Sequence, residues 1–227
     1  MKNILIIGGT KGIGKSIVDD LVDHNNIICL SRNNSEFQHQ NYAHMEFDAL
    51  SDEYPQMENL DCLIYCPGSI NLKPISTLTL EDFRNDFEIN VMGAIKAIKK
   101  YLPLLKKSPS ASILLFSTVA TKLGMPYHAS VSVAKSGVDG LVKTLGSELA
   151  PKVRINAIAP TITNTDLASK ILRNEKVIEN MIERHPLKKI LTSDEVAKMA
   201  SFLISEDASS ISGQIFNMDA GIVTFKS

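Results

Sequence analysis

The stretch Gly8-Gly9-Thr10-Lys11-Gly12-Ile13-Gly14 stands between two segments of opposite periodicity. Before it, residues 4–7 form a short β-branched run. After it, apolar residues recur at helical spacing: Ile13, Ile17, Val18 and Leu21. A glycine-rich turn from strand into helix restricts the fold, because glycine allows a tight turn and a close backbone approach to a ligand. The helix that follows offers free amides and a positive dipole end to an anion such as a pyrophosphate. The spacing is Gly-x-x-x-Gly-x-Gly, which differs from the Gly-x-Gly-x-x-Gly of other dinucleotide folds.

The same unit of strand, turn and amphipathic helix recurs along the chain. Further strands are predicted at residues 27–30, up to Phe47-Asp48, at 60–66, 112–116, 153–158 and 214–217. Helices are predicted at 81–107, 129–149, near 167–181 and at 194–204, with Thr79 and Asp82 placed to cap the first. Alternating strands and helices predict an α/β fold: one Rossmann-type, doubly wound parallel sheet of about seven strands with helices on both faces. The 227 residues suit a single domain spanning 1–227. A net charge of −1 leaves no electrostatic footprint for nucleic acid. No apolar run reaches membrane-spanning length, and none near the N-terminus resembles a signal-peptide core, so a cytoplasmic protein is expected. Cys29, Cys62 and Cys66 form no metal-ligand pattern, and an odd count argues against a disulfide framework. Cys29 and Cys62 read as small buried hydrophobes. His24, His39, His44 and His185 have no evident partners and are expected at the surface.

The end of the second strand reports on the nucleotide. A carboxylate there would bind an adenosine ribose, whereas a basic residue would pair with a 2′-phosphate. Ser31 stands at that position, Arg32 follows it, and Lys11 lies in the glycine loop. Arginine grips phosphate bidentately, so NADP(H) is preferred over NAD(H).

With these residues in place, the whole chain resembles the short-chain dehydrogenase/reductase family, and most closely its 3-oxoacyl-carrier-protein reductase branch. Residues 7–14 resemble the family's Thr-Gly-x-x-x-Gly-Ile-Gly loop, with Ile7 replacing threonine; Gly8, Thr10, Lys11, Gly12, Ile13 and Gly14 would contact the cofactor. Asp48 falls at the family's adenine-contacting aspartate. Tyr65-Cys66-Pro67-Gly68 occupies the Asn-Asn-Ala-Gly position and keeps only Gly68. Asn90-Val91-Met92-Gly93 resembles Asn-x-x-Gly, whose asparagine holds a water in a proton relay. Asn156 to Pro160 resembles Asn-x-x-x-Pro, with Thr161 replacing the usual glycine. Thr165-Asp166 resembles the Thr-Asp near the nicotinamide carboxamide, so Pro160, Thr163 and Thr165 join the expected cofactor contacts. The family also implies a homodimer or homotetramer packed through the helices at 81–107 and 129–149.

The resemblance breaks at the catalytic signature. The family uses Tyr-x-x-x-Lys on a helix, where four-residue spacing puts both side chains on one face. The lysine lowers the tyrosine pKa, so the phenol can protonate a developing alkoxide. Lys135 fits the lysine, which also grips the nicotinamide ribose, but four residues earlier stands Val131, which has no proton to give. Thirteen residues before Val131 is Thr118, beside Ser117, and either hydroxyl can hold a substrate oxygen. Three readings stay open. His128 or Tyr127, at the start of this helix, supplies the proton. Lys135 acts with a water. Or the protein binds NADP(H) and serves as a regulatory or assembly protein. The expected function is reduction of a small carbonyl substrate to an alcohol by NADPH.

Overall fold

The computed structural model describes residues 1–225. Seven parallel strands form the sheet: β1 (Asn3–Ile7), β2 (Asn26–Ser31), β3 (Tyr42–Glu46), β4 (Cys62–Tyr65), β5 (Ala111–Phe116), β6 (Val153–Pro160) and, at the far edge, Ile215–Met218. Between β6 and that edge strand in sequence lies a separate pair, β7 (Thr163–Asn164) with β8 (Leu191–Thr192), so the edge strand is β9. The strand order is β3-β2-β1-β4-β5-β6-β9. The chain therefore winds outward in both directions from β1, and the switch point lies between β1 and β4.

Helices cover both faces, which is why β4 and β5 are buried along their whole length. On one face, α1 (Gly12–Leu21) packs against α6 (Ser193–Ile204), with Ile17, Val18, Val196 and Leu203 against Ile4, Ile6 and Ile64. On the other, α3 (Gly93–Leu105) and α4 (Ala129–Glu148) set Ile98, Tyr101, Val138 and Val142 against Leu63, Ile113 and Ile155. Cys29 and Cys62 lie fully within the core, as small hydrophobes do.

Two helical stretches differ from their sequence pattern. Residues 81–107 are not one helix: α2 (Leu80–Phe87) passes into a π-helical turn at Glu88–Met92 before α3 begins. The turn is wedged by tyrosines. Tyr65 Oη donates to the Ile89 carbonyl at 2.7 Å, and Tyr54 Oη to the Gly93 carbonyl at 3.3 Å. Such insertions cluster at functional sites, and this one carries Asn90. The expected Thr79–Asp82 capping box is present at the start of α2. The second difference lies near 167–181. There α5 starts only at Glu175 (Glu175–Arg184), capped by Asn174, whose side chain accepts from the Val177 amide at 3.0 Å. Leu167 and Ile171 precede it as cleft wall. No described helix is long and apolar enough to cross a membrane.

Candidate cofactor and active site

Parallel strands deliver their C-terminal ends to one side of the sheet, and a cleft of about 870 Å³ opens there. At its base, Gly8 (φ +81°) and Gly12 (φ +52°) adopt the left-handed conformation that glycine alone accepts freely. A Cβ on Gly14 would sit 2.1 Å from the Gly8 carbonyl oxygen, so the turn closes too tightly for any side chain there. Lys11 precedes α1 without a side-chain cap, which leaves the first helical amides to a ligand. Gly8, Thr10, Lys11, Gly12, Ile13 and Gly14 all line the cleft.

Ser31 is buried and its hydroxyl is committed. It donates to the Asn33 carbonyl (3.0 Å) and accepts from Thr10 Oγ1 (3.1 Å) and from His44 Nε2 (2.9 Å). It holds the glycine loop rather than offering a free group. Exposed Arg32 stands beside it on the cleft. Asp48 also lines the cleft and accepts the Leu50 amide through Oδ1 (2.8 Å).

The inner end of the cleft joins Gly68, Asn90 and Lys135. A Cβ on Gly68 would lie 3.1 Å from Asn90 Oδ1 and 3.5 Å from Lys135 Nζ, so the bare glycine keeps a gap open between them. Asn90 Nδ2 donates to the Asp86 carbonyl (2.7 Å) and to Ser69 Oγ (3.2 Å), while its Oδ1 is buried without a partner. Lys135 Nζ donates to the Phe116 carbonyl at 2.7 Å, and burial pushes its pKa down to about 8. Ser117 Oγ is buried with no partner. Thr118 Oγ1 accepts the Ala120 amide (3.3 Å), which leaves its hydroxyl hydrogen free to donate. Val131 is buried on the cleft wall, one turn before Lys135.

The two other proton-donor candidates sit at the mouth. Tyr127 is 59% exposed at φ +69°. His128 Nδ1 donates to the Pro126 carbonyl at 2.7 Å, so in the neutral ring Nε2 carries no proton. Pro160, Thr163 and Thr165 also line the cleft. Thr163 Oγ1 donates to the Thr161 carbonyl (3.0 Å), and the Thr165 side chain lies 3.4 Å from where a Gly12 Cβ would be.

The sequence reading missed two features of the site. His185 is buried, not at the surface: its Nε2 meets Thr161 Oγ1 at 2.8 Å, and its Nδ1 meets the Met181 carbonyl at 2.6 Å. The signal was Thr161, a hydroxyl where the resemblance implied glycine. The other is Asp86, only 2% exposed, whose Oδ1 accepts from Ser69 Oγ at 2.5 Å while Oδ2 has no partner. Its position four residues before Asn90 places it on the same helix face.

Known proteins resemble this chain along its length. Residues 46–223 match a family model described as enoyl-(acyl carrier protein) reductase. The 3-oxoacyl-[acyl-carrier-protein] reductase of Synechocystis is 33% identical over 75% of this chain and 68% of its own. That of Buchnera aphidicola is 26% identical over 97% of both chains. A solved structure of ElxO with NADP bound superposes with a TM-score of 0.87 at 26% identity, covering 99% of this chain and 100% of that one.

Proposed function

The chain belongs to the short-chain dehydrogenase/reductase family, and on that premise we propose that it reduces a small carbonyl compound, ketone or aldehyde, to an alcohol with NADPH. One observation carries the reading. A glycine cradle, a buried lysine and a free guanidinium share one cleft, and Ser31 rather than a carboxylate closes β2. The residues fit a nicotinamide dinucleotide. The loop amides would hold a diphosphate, and Arg32 with Lys11 would pair with a 2′-phosphate. Lys135 and the orphaned Asn90 Oδ1 offer a donor and an acceptor beside Gly68 for ribose and water. ElxO, with its bound NADP, supports the same cofactor choice.

When bound, the nicotinamide supplies hydride. The chain's own part is to place and polarise the carbonyl. The Ser117 and Thr118 hydroxyls can both donate toward its oxygen, and a preorganised donor there stabilises the charge that develops. Apolar Leu123, Met125, Ile171 and Met181 wall the substrate end. The exposed apolar side chains Phe87 on α2 and Val133 on α4 support a homodimer or homotetramer joined through those helices.

Val131 favours a second reading, an NADP(H)-binding regulatory or assembly protein without turnover. Calorimetric titration with NADPH and NADH, followed by NADPH oxidation across a panel of ketones and aldehydes, separates the two. Tighter NADPH binding with turnover is the expected result. Binding without turnover of any carbonyl selects the second reading, and no binding of either nucleotide overturns both.

A further inference from the structure

A buried aspartate with an orphaned oxygen, linked through Asn90 to the gap beside a buried lysine, needs a reason to exist. Native proteins leave few buried polar atoms unpaired, and burying charge without compensation is costly. Here Asp86 Oδ2, Asn90 Oδ1, Ser117 Oγ and Asp139 Oδ1 are all buried without a partner, and Asn90 Oδ1 adjoins the same Gly68 gap as Lys135 Nζ. Asp86, Ser69 and Asn90 form a linked cluster: Ser69 donates to Asp86 Oδ1 at 2.5 Å, and Asn90 Nδ2 donates to both Ser69 Oγ and the Asp86 carbonyl. Ser69 lines the cleft, so the cluster forms part of the wall of the site.

We propose that Lys135 is itself the catalytic acid, acting on the substrate oxygen through the space that Val131 leaves, and that the Asp86–Ser69–Asn90 cluster keeps it charged. This rests on the reductase reading. The geometry favours Lys135 over the groups at the mouth. Among the described residues its one hydrogen-bond partner is the Phe116 carbonyl, so two of its three protons are uncommitted. The Gly68 gap adjoins its Nζ. The tyrosine that would stand between ammonium and substrate is absent, and valine fills less of that wall. In the step, an N–H bond of Lys135 breaks and the O–H bond of the alcohol forms as the carbonyl carbon gains hydride. The carbonyl is reduced and the cofactor oxidised, and the neutral amine takes a proton back from water before the next turnover.

Three titratable groups face the lysine: Cys66 at the end of β4, Asp86 on α2 and Asp139 farther along α4. Burial pushes the Cys66 thiol up, so it stays neutral and lends no charge. Asp139, one turn on along α4, and then Asp86 oppose the loss of the ammonium. A lysine lowered to about 8 by burial is a workable acid near neutral pH, and loses that ability as pH rises through 8.

The test follows the lysine directly. In protein labelled with ¹³Cε-lysine, one resonance, assigned by its absence in Lys135→Arg, should titrate near pH 8 in the cofactor-free protein. In Asp86→Asn, which keeps size and shape, its midpoint should fall by about half a unit or more. With NADPH and ethyl acetoacetate or 2,3-butanedione as probes, the turnover of the wild type should decline above the same midpoint, and the decline should move with it in Asp86→Asn. Lys135→Arg keeps a cation that cannot release a proton, so at saturating NADPH it should lose about 100-fold or more in turnover. Titration near the ordinary lysine value, an unmoved midpoint in Asp86→Asn, or full turnover in Lys135→Arg would each overturn the assignment while leaving the reductase reading intact. A wild type that binds NADPH but reduces neither these probes nor any other carbonyl sinks the reductase reading and the assignment together.

Discussion

The hydroxyl of Thr161, just past β6, lies 2.8 Å from His185 Nε2, just past α5, and both residues are buried. A carbonyl can only accept, so the contact with Met181 fixes the proton on His185 Nδ1. In the neutral ring, Nε2 must then accept from Thr161. One imidazole thus ties the helix carrying Met181 to the end of β6.

His185→Ala should cost about 2–4 kcal/mol in unfolding free energy, through a small cavity and an unpaired Thr161 hydroxyl. Urea denaturation measures it. If the contact is direct, a double-mutant cycle with Thr161→Val should recover at least about 0.5 kcal/mol of coupling. The Michaelis constant for a reducible carbonyl should also rise, because the wall carrying Met181 and Ile171 loosens.

Arg32→Asp should reverse the nucleotide preference. The guanidinium is exposed on the cleft with no partner among the described residues, and the carboxylate would repel a 2′-phosphate and accept from a ribose hydroxyl. Calorimetry should show NADPH binding weakened by about tenfold or more, a loss of at least about 1.4 kcal/mol, and NADH binding unchanged or tighter. Unchanged NADPH affinity would remove Arg32 from the site.

The doubly wound parallel sheet and the placement of the glycine loop could be read from the sequence because they rest on periodicity and on glycine, both local signals. Gly68 adjoins both Asn90 Oδ1 and Lys135 Nζ, three residues that the resemblance had singled out. The π-helical turn could not be read that way: the 81–107 pattern stays apolar at helical spacing straight through it, and the wedge comes from Tyr65 and Tyr54, far away in sequence. His185 and Asp86 escaped for the same reason, since a buried polar residue is recognised by its partner. Ser31 could be placed but not interpreted, because its saturation depends on His44 from the neighbouring strand.

Gly93→Ala should damage the π-helical turn in a way that a second substitution repairs. A Cβ at this position would lie 2.0 Å from Tyr65 Oη and 3.0 Å from Cζ. Displacing the tyrosine breaks its bond to the Ile89 carbonyl and moves Asn90. Thermal denaturation should show a loss of about 1–3 kcal/mol, as for other overpacked cores. Adding Tyr65→Phe removes the clashing oxygen and should return part of that loss. If the double variant is no more stable than Gly93→Ala alone, Tyr65 is not the obstacle.

Lys135→Met should stabilise the fold, with a gain that fades as pH rises. The lysine pKa falls from 10.5 in the unfolded chain to about 8 in the folded one, because burial disfavours the charged form. Between those values the unfolded chain binds more protons, so wild-type stability climbs with pH across that window. Below pH 8 the folded protein carries the full cost of a buried ammonium, and above about 10.5 neither state is charged. Methionine has similar length and no charge, so it removes the cost and gives up the bond to the Phe116 carbonyl. Unfolding midpoints should therefore favour Lys135→Met most at pH 7 and converge with the wild type by about pH 10. A gain independent of pH would mean that the folded protein does not depress the lysine. An apolar side chain that steadies the fold and abolishes turnover would show that the ammonium is kept for function at a cost in stability.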